Sequence, residues 1–184
     1  MSVVFDSSFL IALLDPAVRG AGSVDARIDL LVRSLDKERT KIIEPTPALS
    51  EVLIGAGDAA PRYLDIIVRS ARFKIAPFGT RAAVEAAAAH RDALRAGDKR
   101  EGSASSWTKV KFDRQIVAIA KVEGADVIYS NDDDIRRFAD RDGVAVKGID
   151  QLPSPSVKRQ GEPSLSLAPG DECGGGGPPS GAKS

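Results

Sequence analysis

FDRQIVAIAKVEGADVIYSNDDDI, from Phe112 to Ile135, is the stretch on which the fold of this chain turns. Ile116, Val117, Ile119, Ala120 and Val122 recur at helical spacing between an acidic start at Asp113 and a stop at Gly124, which predicts a helix. Gly124-Ala125 then turns the chain into Asp126–Ser130, an almost wholly apolar run too short for a helix and expected to be a buried strand. The helix rises about 17 Å over its eleven residues and the strand about the same over five, so the two can lie antiparallel in adjacent layers. The helix N-terminus with Asp113 and the strand's carboxyl end with Asp132 are then expected at one edge of a sheet.

Outward from there, strand and helix alternate. Ser2–Phe5 predicts a strand ended by Asp6, and Ser7–Leu14 a helix packed with Phe9, Leu10, Ile11, Leu13 and Leu14. Ser23 is placed to cap a second helix that carries Ile28, Leu31 and Leu35 on one face. Lys41–Glu44 is a second strand; Thr46 as cap and Pro47 as first helical residue then start a helix with Glu51 one turn in. Further expectations are a helix over Pro61–Arg72, a strand over Phe73–Ala76, an Ala-rich helix over Thr80–Arg95 and a polar surface loop over 97–110. A short helix over Asp132–Phe138 and a last strand over Val144–Lys147 complete the folded part. This alternation predicts an α/β fold, a central parallel sheet with helices on both faces. In such sheets the binding crevice lies outside the carboxyl ends of the strands, and Asp6, Glu51, Asp113 and Asp132 all fall at that edge.

The 184 residues suit one domain with a sizeable core, expected over residues 1–150. From Gln151 the composition shifts: thirteen of the last 34 residues are Gly or Pro, so 151–184 is expected to be a disordered tail. Lys plus Arg and Asp plus Glu both total 26, so no global field draws the chain to nucleic acid or membrane, and any such binding needs a local patch. Apolar runs such as Phe9–Leu14 fall short of the roughly 20 residues that span a bilayer, and no secretory leader opens the sequence. A cytoplasmic location follows as the expectation. The one cysteine, Cys173, permits no internal disulfide.

Four carboxylates in one crevice repel, by roughly 4 kcal/mol per pair at about 4 Å and an effective dielectric of 20. They call for raised pKa values or a bound cation. Oxygen donors alone favour Mg²⁺ or Mn²⁺ over zinc, and a lone histidine, His90, cannot build a histidine-rich zinc site. No nucleophile elbow, P-loop or dinucleotide fingerprint stands in the folded part. An acidic site loaded with metal acts by activating water and clamping phosphate oxygens.

VVFDSSFLIALL, PTPALSEVL, FDRQIVAIA and VIYSNDDDI, in that order, resemble the four acidic motifs of PIN-domain ribonucleases, with the greatest likeness to VapC-type toxins. The resemblance covers about residues 2–150 and implies a three-layer α/β/α PIN-like domain. It implies a metal-dependent endoribonuclease whose Asp6, Glu51, Asp113 and Asp132 hold one or two ions, Mg²⁺ or Mn²⁺, that activate a water against an RNA phosphodiester. Ser8 and Ser130 match small polar positions that orient carboxylates or water, and Asp134 stands where some relatives carry a further acid. Asp133 has no matching role. An RNA substrate, a cognate antitoxin and a homodimer are the partners implied.

Each feature has a plainer reading beside this one. Asp6 also reads as a helix cap, and Asp113 as an acid favoured by the helix dipole. Glu51 sits among Ala48, Leu49, Val52 and Leu53, where a solvated face is not expected. Lys109, Lys111 and Arg114, with Arg136 and Arg137, either grip RNA phosphates or form a solvated face. Trp107 either stacks a base or packs beneath the loop, and His90 reads as an ordinary residue at a helix surface or boundary. Two other functions fit parts of the pattern. A haloacid-dehalogenase-type phosphatase also opens with a strand ending in Asp, but needs an acid where Ser8 stands. A catalytically silent PIN-fold module binding RNA or protein needs no working site at all.

Overall fold

A computed structural model of the chain describes residues 1–15 and 22–154. Most of the tail expected to be disordered, with Cys173, lies outside those residues.

The sheet has five parallel strands: β1 (Ser2–Phe5), β2 (Lys41–Pro45), β3 (Phe73–Ala76), β4 (Val127–Tyr129) and β5 (Ala145–Lys147). Their order is β3-β2-β1-β4-β5. Val3 pairs with Ile42 on one side and with Val127 on the other, so β1 is the central strand, and its Val3, Val4 and Phe5 are closed to solvent. Because side chains alternate along a strand, this register sorts two apolar sets. Val4, Ile43, Ile128 and Val146 face α5 (Thr80–Arg95), α6 (Trp107–Val122) and α7 (Asp133–Arg141). Val3, Phe5, Ile42, Val127 and Tyr129 face α1 (Ser7–Leu14), α2 (Ser23–Lys37), α3 (Thr46–Ala56) and α4 (Ala60–Arg69). The result is the three-layer α/β/α arrangement expected from the alternation. On the second face Phe5, Phe9 and Tyr129 pack ring on ring, with Phe5 and Tyr129 edge to face at 5.5 Å.

Several boundaries differ from the sequence reading, each for a local reason. Helix α6 begins at Trp107, inside the expected loop, because the Ser106 hydroxyl accepts from the Lys109 backbone N–H at 3.2 Å and caps it. Asp113 therefore lies nearly two turns inside the helix, and its carboxylate is not a first-turn partner of the dipole. Thr46 does not cap α3: Pro45 occupies the cap position, and Thr46 Oγ1 instead accepts from the Phe78 backbone N–H at 3.2 Å. Gly22, not Ser23, precedes α2. At the end of α6, Gly124 takes φ 64°, the left-handed turn that lets the chain reverse into β4. No helix among the described residues is long and apolar enough to cross a membrane.

The strand order reverses between β1 and β4. A crevice opens outside their carboxyl ends, the usual place for a ligand in a sheet of this kind. Asp6 follows β1 directly, and Ser130 through Asp134 follow β4.

Candidate functional site

Asp6 leaves β1 as the cap of α1. Its Oδ1 accepts from the Phe9 backbone N–H at 3.0 Å and from the Ser8 hydroxyl at 2.7 Å, and its Oδ2 accepts from the Ser130 hydroxyl. Ser130 Oγ in turn accepts from the Asp132 backbone N–H at 3.0 Å. A buried chain of hydrogen bonds thus ties the end of β1 to the end of β4. Burial pushes the Asp6 carboxyl above the usual range, its three donors pull it back and the Asp132 charge adds to the rise.

Three consecutive aspartates follow, and the start of α7 separates them. Asp132 is its cap, accepting from the Asp134 backbone N–H at 2.8 Å; Asp133 points to solvent; Asp134 is buried. Asp134 Oδ2 accepts from the hydroxyls of Ser103 and Ser105 at 2.6 and 2.7 Å, and its Oδ1 pairs with Arg137 at 2.8 Å. Its burial pushes the carboxyl up, but the two hydroxyls and the guanidinium outweigh that and hold it below the usual range.

Asp113, 5% exposed, comes from α6. Its Oδ2 accepts from Lys109 Nζ at 2.7 Å, and the same ammonium reaches Asp132 Oδ2 at 2.5 Å. Burial raises the Asp113 carboxyl to about 6 against the pull of Lys109, with Asp132 and Asp134 adding repulsion. Lys109 is shifted up: its burial works the other way but is overcome by the two carboxylates. One oxygen each from Asp113, Asp132 and Asp134 lies within 4.8 Å of the others, and among the described residues this is the group able to hold a metal ion. Oxygen donors alone at that spacing suit a hard divalent cation. An open hollow over Asp132 and Asp134 is also lined by Lys109, Asn131, Asp133 and Arg137.

Asp113, Asp132 and Asp134 are therefore brought together, and Asp6 is joined to them through Ser130. Glu51 is not in the group: it lies on the exposed face of α3 with Ser50 and Ile54, while Ala48, Leu49 and Val52 turn into the core, so the solvated face not expected there is what occurs. Arg114 is 2% exposed, lies over the Phe138 ring at 4.8 Å and pairs with Glu101 at 3.0 Å, which turns it away from any phosphate at the surface. Lys111 stays exposed, and Arg136 reaches Gln151 at 3.3 Å. His90 lies at the boundary of the core, half-buried, with Nδ1 bonded to Arg114 and its ring 5.1 Å from Trp107, which packs on the core.

Two sets of residues escaped the sequence. Ser103 and Ser105 sit in the polar run before α6, where nothing in the local pattern distinguishes them from other loop serines. Glu44 carried a signal: it is the one charge in the interior of the KIIEP strand. It is fully buried, on the strand face shared with Phe5 and Ile75, and neither of its carboxylate oxygens has a hydrogen-bond partner among the described residues. Burial holds it well above the usual range, and the charge of Asp6 pushes the same way.

The PIN domain family model matches residues 3–141. Among solved structures, the chain is similar to VapBC2 from Rickettsia felis bound to a DNA fragment from its promoter (TM-score 0.58, 14% identity, 80% of this chain and 98% of that one). It is also similar to VapBC-1 from nontypeable Haemophilus influenzae (0.55, 10%, 82% and 99%). DNA-bound VapBC from Salmonella typhimurium gives 0.52 at 16% identity, over 81% and 98%. At these identities the likeness is one of fold. No curated protein matches the sequence. With its family model spanning four of the five strands and the crevice with Asp6, Asp113, Asp132 and Asp134, this chain belongs to the PIN domain family.

Proposed function

We propose that the chain is a metal-dependent endoribonuclease that hydrolyses RNA phosphodiesters, the toxin of a toxin–antitoxin pair. The observation that carries this reading is the convergence of Asp113, Asp132 and Asp134 from two helices, one oxygen each within 4.8 Å, at the point where the strand order reverses. In this reading the three carboxylates, with Asp6 beside them, hold one or two Mg²⁺ or Mn²⁺ ions. Glu51, exposed on α3, keeps its part from the resemblance alone. A hard cation held there supplies an acidified water and positive charge for phosphate oxygens.

The protein's own groups do the positioning. Ser8 and Ser130 fix the Asp6 carboxylate, and Ser130 passes that constraint to the Asp132 backbone. Ser103, Ser105 and Arg137 fix both oxygens of Asp134. Asp113, its carboxyl raised by burial to about 6, is the acid at which a proton competes with the cation below that pH. Lys109 and Lys111 are both exposed near the start of α6, and in this reading they meet the phosphate backbone. The VapBC likenesses support extending an antitoxin partner to this chain; homodimerisation rests on the motif resemblance alone, and a cytoplasmic place of action on the sequence alone.

The test is cleavage of a panel of structured RNAs by the purified full chain in Mg²⁺ or Mn²⁺ and in EDTA, beside Asp113→Asn and Asp132→Asn. Discrete fragments that require metal and vanish in both variants are expected. Equal cleavage in EDTA, or by the variants, would overturn the proposal.

A further inference from the structure

Lys109 stands one helical turn before Asp113 on α6, so the two side chains meet on one face. Its ammonium nitrogen lies 2.7 Å from Asp113 Oδ2 and 2.5 Å from Asp132 Oδ2, bridging α6 to the cap of α7. Those two carboxylates, with Asp134, are the group that gathers within 4.8 Å. One lysine therefore sits between the acids assigned to the metal.

We propose that Lys109 is an exchangeable internal counter-ion: its ammonium holds the cation position in the metal-free protein and must swing out before a divalent ion can enter. The inference rests on the metal reading above and deepens it. Mg²⁺ takes carboxylate oxygens at about 2.0–2.1 Å, closer than the ammonium stands, so an entering ion draws the two carboxylates inward onto the space that Nζ fills. An ammonium and a divalent ion held by the same two oxygens repel at close range, and that repulsion favours the ammonium leaving. The lysine has an exit. Its side chain is 42% exposed and lines the open hollow, and its four-carbon stem has free rotations. Once out, the ammonium stands at the rim where a phosphate would arrive, so a single residue neutralises the acids before loading and meets the substrate after it.

The energetic consequence is a fixed tax on metal affinity. A site competent for a tenth of the time binds about tenfold more weakly than its intrinsic affinity. Simple loss of a positive charge near the acids also favours a cation, and Lys111 separates the two effects. It is exposed on the same helix and makes none of these bonds.

The experiment is calorimetric titration of the full chain with Mn²⁺, as wild type, Lys109→Met, Lys109→Gln and Lys111→Met. It is joined by mass-spectrometric measurement of how fast an amine-reactive ester labels Lys109 with and without Mn²⁺. Expected are binding by Lys109→Met and Lys109→Gln about tenfold tighter than wild type, little change in Lys111→Met, and faster labelling of Lys109 when Mn²⁺ is present. Binding seen in the Lys109 variants but too weak to measure in wild type supports the same conclusion. If Mn²⁺ binds equally to wild type and both Lys109 variants, or if labelling ignores the metal, the counter-ion role is overturned while the metal site stands. If no form of the protein binds Mn²⁺, the metal reading falls as well. Labelling is read on the unmodified chain, so poor folding of a variant does not blunt the test.

Discussion

Glu44 is a carboxyl group with nowhere to place a charge. It is closed to solvent, without a hydrogen-bond partner among the described residues, and close enough to Asp6 to feel its charge. Its folded pKa is raised above the value of about 4.5 that it has when unfolded. As pH rises past 4.5 the unfolded chain releases this proton first, so stability falls until the folded pKa is passed. Glu44→Gln cannot titrate, and Glu44→Leu removes a buried unpartnered group worth about 1–3 kcal/mol. Thermal melts at pH 4.5 and 8 are expected to show both variants gaining on wild type at the higher pH; equal gains at both would refute the assignment. Asp113 makes a second residue-scale prediction of opposite use. With its carboxyl at about 6, a divalent ion competes with a proton below that pH, and Mn²⁺ affinity should fall about tenfold per unit as pH drops from 6. A flat profile between pH 5 and 6 would contradict this. The reading of three consecutive aspartates shows how far sequence reaches at this scale. It flagged Asp132 and Asp134 but could not exclude Asp133, because only the start of α7 turns the middle one outward.

Among the elements, α6 carries the most. It is buried all round over Ile116–Ala120, between the sheet and its neighbours α5 and α7, and it delivers Lys109, Asp113 and Arg114. Its apolar spacing was legible from Ile116 onward. Its first two turns were not, because Trp107, Thr108, Lys109 and Lys111 look like loop until the Ser106 cap is seen. Ser106→Ala should cost about 1 kcal/mol of stability, read as a lower melting temperature, and Ser106→Asp should restore it. The segment before that cap is tied down as well. Ser103 and Ser105 reach Asp134, and Glu101 pairs with Arg114 and Arg141. Groups that hold a ligand's carboxylate typically matter by about 10–100-fold in metal affinity. The double variant Ser103→Ala, Ser105→Ala should therefore weaken Mn²⁺ binding within that range while α6 remains folded by circular dichroism; unchanged affinity would assign the two serines to loop structure alone.

At the scale of the molecule, an ion that binds only the folded state stabilises it by mass action, about 2.7 kcal/mol at a hundredfold excess over its dissociation constant. For a chain of this size that is about 5–11 °C in melting temperature, expected with Mn²⁺ and lost in Asp113→Asn; an equal shift in the variant would place the ion elsewhere. The architecture itself was open to reading, since alternating strands and helices leave few arrangements other than a parallel sheet. Strand order was not, because nothing local in Val3-Val4-Phe5 says that its partners are Ile42 and Val127. That central position has an effect on the timing of synthesis. The Ser130 hydroxyl that closes on Asp6 lies 124 residues downstream of it, so the first acid of the crevice is made early and waits for a partner made late. With translation at about 5–20 residues per second, a nascent chain spends several seconds carrying an incomplete crevice. Asp132 and Asp134 are made with that late partner, so the acids of the crevice cannot gather before β4 and the start of α7 have left the ribosome.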